Sequence, residues 1–494
     1  MFCATRGYSS TAASGFGGSI LGVLERLHEH SRAIGGVDAI AGDGGVVSYR
    51  ELYEQVLAAV DFLGAGGIDD AAVVGLAIED EAQHLIAALA LLGIGADHVT
   101  LASHDTVSFK HSLVQRLKLT HVVDAGMDEH LLGLAHVKWP ALEGAIGQAM
   151  SPSKREGVVY FNTSGTTGEV KIVPLADRQL AAQARHHPDY AGERLLRLGS
   201  IEHNISKRLR LYCVYSGGTN VFAPKGAFDL VEFCARQRVS ELDVSRMHAS
   251  DLVALGTTAF RDVTVSVAGS PVPFDVRRRV ETDVTPLLTV RYGATECGTI
   301  AFAGPGQHDE LEAVGLPVAG LELEIVDGLD VAVGTLKAGN IRVRVAGMAT
   351  GYLGNPAETR QRFRDGWFYP GDVGTLLEDG RLVVHGRADD MMILNSINVF
   401  PAEIERILER HPAVLTSAAL PLASRVHGQI PVAAVELRPG AVVTSRELLD
   451  YAREQLALRA PRRIIVLEAL PRNEQGKILR RELVSMFEFG KPGA

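Results

Sequence analysis

The chain contains one stretch, from Tyr160 to Lys171, whose residue types suit the binding of a phosphate group. A short apolar run at its start is typical of a strand. The small residues after that run are Thr163, Ser164, Gly165, Thr166, Thr167 and Gly168. Glycine lets the backbone approach a ligand closely, exposed N–H groups and hydroxyls can surround a phosphate, and the lysine adds a positive charge. The spacing is not that of a Walker A loop, and a flexible surface turn would have the same composition.

The sequence before this stretch alternates between strand and helix patterns, which predicts a parallel sheet. Residues 73–78 and 98–101 form apolar, β-branched runs typical of strands, and residues 81–92 between them form an apolar helix. A strand, helix, strand order indicates βαβ units. Nearer the N-terminus, Ser48 with Glu51 three residues later forms a capping box, which predicts that a helix begins after Ser48.

The C-terminal part of the chain has a different pattern, that of a small α+β unit. Its helix over residues 401–411 starts at a proline, and strand patterns follow it. We therefore predict an α/β fold with two domains. A large N-terminal α/β domain with parallel-rich sheets would span residues 1–387, and a small C-terminal α+β domain would span residues 388–494.

Composition limits the classes of function. The 494 residues, of which 46% are hydrophobic and 22% charged, are enough for two or more globular domains. The net charge of −10 argues against a general nucleic-acid-binding protein. No apolar run approaches the roughly 18 residues of a membrane span. The four cysteines have neither metal nor disulfide spacing, which fits a reducing cytoplasm.

The order Thr-Ser-Gly-Thr-Thr-Gly-x-x-Lys over residues 163–171 resembles the phosphate loop of the adenylate-forming superfamily. This superfamily contains acyl-CoA synthetases, the adenylation domains of peptide synthetases, and luciferases. The usual Pro and Gly beside the lysine are Val170 and Ile172 here. Further family-like motifs follow in family order up to Arg480, among them a Gly-Tyr-x-x-x-Pro motif that includes Tyr352.

Residues 291–296, Arg-Tyr-Gly-Ala-Thr-Glu, are similar to the family's Tyr-Gly-x-Thr-Glu motif. The resemblance implies that Glu296 binds Mg²⁺, that Thr295 contacts the α-phosphate during catalysis, and that Tyr292 offers a ring face to adenine. One carboxylate together with nucleotide phosphates and water is a natural shell for Mg²⁺. A Thr-Glu pair at the end of a strand could instead cap a helix.

Four further positions match family residues that hold the nucleoside of ATP. Gly269 and Ser270 match a turn whose backbone packs on adenine, although any tight turn would look the same. Asp372 matches the residue that accepts hydrogen bonds from both ribose hydroxyls. A carboxylate suits this role because it is an acceptor with two oxygens. Arg387 matches the family's ribose-binding arginine.

The resemblance places His203, Asn204, Arg291 and Gly293 at the pocket for the carboxylic acid. Amino-acid adenylation domains carry an Asp at the position of Asn204, where it clamps the substrate ammonium, so α-amino acids are disfavoured. His203 and Asn204 are similar to the His-Asn pair of aryl-acid adenylating enzymes, and both could equally satisfy nearby backbone groups. In malonyl-CoA synthetases an arginine at the Arg291 position meets a second carboxylate; otherwise Arg291 would pair with an acid of the protein.

Lys207, Arg208 and Arg210 form a basic cluster just after this motif. Charged clusters on helices mostly face water or form ion pairs. We therefore expect these three residues to lie on a solvated or ion-paired helix face rather than in a binding site.

Residues 471–480 match the family's Pro-x4-Gly-Lys-x-x-Arg motif. The resemblance implies that Lys477 is catalytic and bridges the acyl carboxylate and the nucleotide; a lone Gly-Lys pair would be an exposed turn. Asp389 matches the hinge about which the family's small domain is mobile. After the hinge, Asn395-Ser396 replaces the glycine pair of many CoA-dependent members, which leaves open carrier-protein transfer or a stop at the acyl-adenylate.

Together the motifs imply ATP- and Mg²⁺-dependent activation of a small carboxylic acid to an acyl-adenylate with release of pyrophosphate. Thioester formation on CoA or on the phosphopantetheine of a carrier protein would follow. The acid is expected to be aryl, acyl or dicarboxylic rather than α-amino. The alternatives are an amino-acid adenylation enzyme that loads a carrier protein, a luciferase-like oxygenase, and a catalytically inactive nucleotide-binding homologue. We expect a cytoplasmic protein with no nucleic-acid partner and no membrane span.

Overall fold

The computed structural model describes residues 20–125, 134–140, 147, 153, 155–164, 170–394, 397–424, 428–472 and 478–489. The helices in these ranges are α1 (Val23–Ala33), α2 (Tyr49–Ala65), α3 (Glu81–Ile94), α4 (Val107–Leu117), α5 (Asp177–His186), α6 (Asn204–Ser216), α7 (Leu230–Gln237), α8 (Arg246–Leu255), α9 (Phe274–Arg279), α10 (Pro356–Arg362), α11 (Pro401–Glu409), α12 (Ser445–Leu456) and α13 (Arg480–Phe489).

The strands are β1 (Asp38–Gly42), β2 (Gly45–Ser48), β3 (Val73–Ala77), β4 (Asp97–Thr100), β5 (His121–Asp124), β6 (Ala135–Lys138), β7 (Val158–Ser164), β8 (Val170–Ala176), β9 (Arg194–Arg197), β10 (Thr219–Val221), β11 (Glu241–Val244), β12 (Thr264–Ala268), β13 (Leu288–Ala294), β14 (Gly298–Ala303), β15 (Leu316–Pro317), β16 (Glu322–Val326), β17 (Gly339–Arg344), β18 (Phe363–Arg364), β19 (Trp367–Phe368), β20 (Asp372–Leu376), β21 (Leu382–Arg387), β22 (Met392–Leu394), β23 (Ile397–Val399), β24 (Val414–Ser424), β25 (Gly428–Leu437) and β26 (Arg463–Leu467).

The first sheet carries the predicted phosphate stretch and has the order β6-β5-β3-β4-β7-β8. Its pairs β3–β4, β3–β5, β5–β6 and β4–β7 are parallel, and β8 returns antiparallel to β7. Helix α3 lies between β3 and β4 in the chain, so the predicted βαβ order is confirmed. The predicted capping box is also confirmed, because the Ser48 hydroxyl accepts a hydrogen bond from the Glu51 N–H at 3.3 Å.

The second and third sheets carry the other predicted site residues. The second sheet has the order β15-β14-β13-β12-β11-β9-β10-β1-β2, and the strands from β13 through to β1 are parallel neighbours. The third sheet has the order β18-β19-β17-β20-β21, with β16 beside β17. Strand β13 contains Tyr292, β20 begins at Asp372, and β21 ends at Arg387.

Two helices fill the interior between the first and second sheets. Helix α3 contacts β3 and β4 of the first sheet, α6 contacts β10 of the second, and the two helices contact each other. Most of the side chains of α3 are buried, as expected for a helix that is apolar all round. This packing places α6, which begins at Asn204, inside the large domain rather than on its surface.

The C-terminal unit is a small α+β structure, as predicted. Strands β24, β25 and β26 form its sheet, on which α11 and α12 pack. The fold class is therefore confirmed: a large domain with parallel-rich sheets precedes a smaller C-terminal domain. The boundary at residues 387 and 388 and the mobility of the small domain stay predictions. In the part of the chain that the structure describes, no helix is both long and apolar enough to cross a bilayer.

Candidate active site

Tyr292, Asp372 and Arg387 meet where the second and third sheets come together. The Tyr292 hydroxyl donates a hydrogen bond to Asp372 Oδ2 at 2.5 Å, and Arg387 Nη1 lies 3.4 Å from Asp372 Oδ1. Asp372 and Arg387 are direct partners across β20 and β21. Burial, followed by the Asp372 carboxylate, raises the pKa of Tyr292, so the phenol stays a donor. An aromatic ring, a carboxylate and a guanidinium thus stand together, and their binding of a nucleoside stays a prediction.

The residues predicted to pack on adenine and one residue of the predicted acid pocket lie at the ends of two neighbouring strands. Gly269 and Ser270 are exposed and follow β12, which runs parallel to β13. Gly293 is at the end of β13, where a Cβ atom would come within 2.3 Å of the Gly298 carbonyl oxygen. Only glycine fits there without moving the backbone of β14. The turn after β12 and the end of β13 therefore lie side by side.

Lys171 and Thr163 are opposite each other across the β7–β8 hairpin. The Lys171 side chain is buried, forms an ion pair with Glu358, and lies 5.2 Å from the centre of the Tyr352 ring. The predictions for the Ser164 side chain, for Gly165, Thr166, Thr167 and Gly168, for Asn395 and Ser396, and for Lys477 lie outside the described residues.

Glu296 is a buried carboxylate in the turn between β13 and β14, so the helix-cap alternative for Thr295 and Glu296 is wrong. The Tyr352 hydroxyl donates a hydrogen bond to Glu296 Oε1 at 2.7 Å. Among the described residues, no three His, Cys, Asp or Glu side chains come close enough to hold a metal. Glu296 nevertheless fits Mg²⁺, since this ion takes one or two protein carboxylates and completes its shell with phosphates and water.

A chain of ion pairs connects Lys171 of the phosphate stretch, through Glu358 and Arg362, to Asp389 at the predicted hinge. Arg362 Nε lies 3.0 Å from Glu358 Oε1, and Arg362 Nη2 lies 2.8 Å from Asp389 Oδ2. Arg387 Nη2 lies 3.2 Å from the same Asp389 oxygen. Burial acts to raise the pKa of Asp389, and the two arginines outweigh it, so this pKa lies below its ordinary value. Gly371, beside Arg362, has a φ of 86°, a left-handed backbone conformation that favours glycine.

The predicted acid-pocket residues His203 and Asn204 lie at the start of α6. The Asn204 side-chain amide donates a hydrogen bond to the carbonyl oxygen of Asn162, which lies within the phosphate stretch, one residue before Thr163. The His203 ring packs on His104, with ring centres 4.9 Å apart. Asn204 therefore does satisfy a backbone group, as one alternative stated, and its contact with a substrate stays a prediction.

Arg291 is paired with a buried acid of the protein. It forms an ion pair with Asp243, and its Nη1 donates to His187 Nε2 at 2.6 Å and to the Tyr190 hydroxyl at 3.2 Å. Burial and then Arg291 lower the pKa of His187, so the imidazole is neutral and can accept this hydrogen bond. The acid-paired alternative describes the position of Arg291 in the structure, and a contact with a second substrate carboxylate stays a prediction.

The expectation for Lys207, Arg208 and Arg210 was a solvated or ion-paired helix face. The solvated part is wrong, and the ion-paired part is confirmed for Arg210, whose Nη2 lies 3.9 Å from Glu81 Oε2. The exposed fractions of the three basic residues are 2%, 8% and 0%. The reason is that α6 lies between two sheets, so residues on every side of it are enclosed. Arg210 Nη1 donates to the carbonyl oxygens of Leu195 and Val221, and Lys207 Nζ donates to Thr100 at 3.0 Å.

Three residues of the site had no predicted role. Tyr352 stood in a family-like motif, but nothing in the sequence indicated that it joins Lys171 to Glu296. The i,i+4 spacing of Glu358 and Arg362 predicts a helix-surface ion pair. Glu358 also pairs with Lys171, and Arg362 also pairs with Asp389. Both partners are far away in the chain, so local spacing does not indicate these contacts.

Comparison with known proteins gives two family matches. Residues 27–353 match the family of AMP-binding enzymes, and residues 403–477 match the AMP-binding enzyme C-terminal domain. The chain is 29% identical to a 2-succinylbenzoate–CoA ligase of Geobacillus kaustophilus, over 88% of this chain and 92% of that one. It is 26% identical to a 4-chlorobenzoate–CoA ligase of an Arthrobacter species, over 88% and 89% of the two chains.

Solved structures share the fold. The ATP-bound structure of MatB from Rhodopseudomonas palustris superposes with a TM-score of 0.84 at 22% identity, covering 95% of this chain and 99% of that chain. The family match covers most of the sequence and includes the strands and turns that carry the site. The chain therefore belongs to the AMP-binding enzyme family of the adenylate-forming superfamily, and it is an enzyme of the AMP-forming acid–thiol ligase class.

Proposed function

We propose that the protein activates a small carboxylic acid with ATP to an acyl-adenylate and then transfers the acyl group to a thiol. The observation that carries this proposal is the meeting of Tyr292, Asp372 and Arg387 from two different sheets. Tyr352 brings the phosphate-stretch lysine and the candidate metal carboxylate together, because Lys171 Nζ lies 5.2 Å from the centre of its ring and its hydroxyl donates to Glu296. A nucleotide that spans these two groups would have its ribose and its phosphates held at once.

In the first step a carboxylate oxygen of the acid attacks the α-phosphorus of ATP. The bond from that phosphorus to the oxygen that bridges to the β-phosphate breaks, and pyrophosphate leaves with the electron pair. Both reactants are anionic, so the protein acts by positioning and charge neutralisation. Asp372 and Arg387 would hold the ribose, and Thr295 and Lys171 would contact phosphates. Mg²⁺ at Glu296 would supply further neutralisation when bound.

Lys171 does not stand free for a phosphate, because it is already paired with Glu358. ATP binding would replace this ion pair, or share it, and Glu358 would keep its second partner Arg362 at 3.0 Å. Lys477 is proposed to bridge the acyl and phosphate groups at the moment of attack. Loss of one charged donor of this kind typically costs about 3–4 kcal/mol of transition-state stabilisation.

The acid is proposed to be aryl, acyl or dicarboxylic. Asn204 has no charge with which to bind an α-ammonium group, and the two relatives named above are ligases of aryl acids. Those relatives are also named as CoA ligases, which favours CoA over a carrier-protein phosphopantetheine as the acceptor. A cytoplasmic location is proposed because both ATP and CoA are available there.

The proposal is tested by acid-dependent pyrophosphate release across a panel of fatty, aryl, dicarboxylic and amino acids. At least one acid outside the amino-acid group should support turnover. Asp372→Asn should raise KM for ATP about ten-fold or more, because a hydrogen bond to a charged group is lost. Asp379→Asn is the matched control, since Asp379 is exposed in the turn between β20 and β21. ATP binding without release by any acid would overturn the proposal.

The acceptor is tested separately, with the acid identified in that panel. CoA or a phosphopantetheine-loaded carrier protein is added, and the thioester is detected by mass spectrometry. We expect acyl-CoA. Thioester on the carrier protein alone would assign the carrier alternative, and accumulation of the acyl-adenylate with both thiols would limit the activity to the first step.

A further inference from the structure

Helix α11 of the small domain carries two charged side chains that pair with the large domain. Arg406 Nε lies 2.8 Å from Glu312 Oε2, and Glu409 Oε2 lies 2.5 Å from Arg246 Nη2. Arg406 and Glu409 are three positions apart, so both lie on one face of the helix. The exposed fractions of the two acidic side chains are 8% for Glu312 and 6% for Glu409, so water screens these ion pairs less than pairs at the surface.

The charges are crossed, because each domain supplies one arginine and one glutamate. A helix turned or shifted on this surface would bring like charges together or leave a buried acid unpaired, and both are unfavourable. The two ion pairs therefore select one orientation of α11 on the large domain. Beside the Arg246–Glu409 pair lies a cavity of about 200 Å³, lined by α8 and α9 and by Leu415 and Arg438 of the small domain. Because side chains do not fill this part of the interface, the ion pair rather than apolar packing fixes the contact there.

The large domain holds Glu312 in position for its contact with α11. Glu312 Oε1 accepts a hydrogen bond from the Phe274 N–H at 3.0 Å, and its carbonyl oxygen accepts one from Arg277 Nη2 at 3.1 Å. Glu312 has a φ of 56°, a left-handed backbone conformation that is uncommon for residues other than glycine. Such a residue persists where its surroundings stabilise it. One carboxylate oxygen of Glu312 is thus fixed by its own domain, and the other pairs with Arg406.

The same helix holds the segment that follows Lys477 in the sequence. Glu405, next to Arg406 in α11, forms an ion pair with Arg480. Arg480 comes three positions after Lys477, and its Nε donates a hydrogen bond to the Ala419 carbonyl oxygen at 3.3 Å. The helix that docks on the large domain is therefore also the helix that anchors this segment.

Helix α11 docks close to a residue that is proposed to bind ribose. The helix contacts β21, which ends at Arg387. Phe400 directly precedes α11, and the centre of its ring lies 6.0 Å from that of His385, two residues before Arg387. The two ion pairs thus hold α11, and the segment that it anchors, on the side of the large domain where the nucleotide is proposed to bind.

We propose that the four residues of these two ion pairs are positioning residues, which dock α11 so that the segment around Lys477 is in place for the first step. This inference rests on the proposed function, which gives Lys477 a role at the attack on the α-phosphorus and none in thiol transfer. Breaking the ion pairs should therefore slow pyrophosphate release and spare the transfer of the acyl group. The affinity for ATP should also stay, because the residues proposed to bind ribose belong to the large domain.

The test measures the two half-reactions separately in the full-length enzyme, with the acid that is active in the panel. Acid-dependent pyrophosphate release without thiol reports the first step, and transfer from the synthetic acyl-adenylate of that acid to the identified thiol reports the second. Arg406→Met and Arg246→Met should each lower kcat for pyrophosphate release about five-fold or more, because each leaves a buried acid unpaired. The Kd for ATP and the rate of acyl transfer should stay within about two-fold of wild type.

Arg459→Met is the matched control. Arg459 Nη1 lies 2.7 Å from Glu403 Oε1, so this arginine also pairs with α11, but both residues belong to the small domain. The substitution should leave both half-reactions unchanged.

A charge swap tests one ion pair directly and does not depend on the stability of the methionine variants. Glu312→Arg and Arg406→Glu should each slow pyrophosphate release about ten-fold or more, because each brings like charges together. The variant with both substitutions should return to within about three-fold of wild type, because opposite charges face each other again.

Each outcome decides the inference. Unchanged pyrophosphate release in both methionine variants, or a swapped pair no faster than the single reversals, would overturn the inference and leave the proposed function intact. Equal losses in both half-reactions, or a weaker affinity for ATP, would indicate a purely structural role and would overturn it as well. Wild-type pyrophosphate release with no acid of the panel would overturn the proposed function, and the inference with it.

Discussion

Replacing Lys207 with methionine should stabilise the protein, and the gain should depend on pH in a defined way. Lys207 is fully enclosed on α6, and its ammonium has one hydrogen bond to the described residues, to Thr100 Oγ1 at 3.0 Å. Thr100 also lies 3.4 Å from His84 Nε2, so it keeps a partner after the substitution. Methionine has a similar length and no charge, so it can fill the space of the lysine stem.

The size of the effect follows from the pKa of this lysine. Burial lowers the pKa of Lys207 from 10.5 to about 7. Between these pH values the unfolded chain holds a proton that the folded chain releases. The free energy of unfolding therefore falls as the pH drops from 10.5 to 7, and it falls no further below pH 7. At 1.36 kcal/mol for each pH unit, the full penalty from 10.5 to about 7 is about 5 kcal/mol.

The assay is equilibrium unfolding of wild type and Lys207→Met at pH 7 and at about pH 9.5. The variant should be the more stable at pH 7, and about 3 kcal/mol of its advantage should disappear at the higher pH. Lys225→Met is the control, since the Lys225 side chain is 76% exposed, and it should show no such change. An advantage that is equal at both pH values, or a variant that is less stable at pH 7, would refute the reasoning about this buried amine.

Three other substitutions test separate parts of the site and fold. Tyr352→Phe removes the hydroxyl that donates to Glu296 at 2.7 Å, and pyrophosphate release should fall about ten-fold or more with an unchanged circular dichroism spectrum; a full rate would contradict this role. Glu358→Gln weakens the ion pair that holds Lys171, so Lys171 is freer to bind a phosphate and KM for ATP should fall. A rise in KM would contradict this and show that the ion pair positions Lys171 for the phosphate. Asp177 is buried, and its pKa is raised to about 7. The free energy of unfolding of the wild type therefore falls as the pH rises from 3.8 to 7. Asp177→Asn lacks this titration and should be more stable than wild type by about 4 kcal/mol at pH 8. An unfolding free-energy difference that stays constant between pH 5 and pH 8 would contradict the assignment of this proton.

Local patterns in the sequence predicted the elements well, because their causes are local. The Ser48 capping box fixed the start of α2, and Pro401 marked the first residue of α11. The parallel order of the first sheet followed from apolar strands that alternate with an apolar helix. These predictions needed only hydrogen bonds within one turn and the burial of one helix.

The environment of α6 could not be predicted in this way. Its charged residues at 207, 208 and 210 suggested contact with water, because burying such groups is unfavourable in isolation. The carbonyl oxygen of Ala294 that receives an Arg208 donor is 86 positions away in the chain. The carbonyl oxygens of Leu195 and Val221 that receive Arg210 lie on β9 and β10, on either side of α6 in the chain, and no local pattern indicates that these strands enclose the helix. The sequence shows that these residues are charged, whereas only the packing of the folded chain shows that they are buried.

The meeting of Tyr292, Asp372 and Arg387 was predicted only through the family motifs. Tyr292 and Asp372 are 80 positions apart, and no periodicity links a strand of the second sheet to one of the third. The chain of ion pairs from Lys171 through Glu358 and Arg362 to Asp389 was not predicted at all. Each of its links joins an element to one that packs against it only in the folded state.

The most direct test of the central claim is to follow the oxygen atoms of the acid. The enzyme is supplied with ATP, Mg²⁺, CoA and an active acid labelled with ¹⁸O in its reacting carboxylate, and the products are analysed by mass spectrometry. Attack of that carboxylate on the α-phosphorus predicts AMP that carries one ¹⁸O atom and pyrophosphate that carries none. Label in pyrophosphate or phosphate, or unlabelled AMP formed together with thioester, would contradict the account.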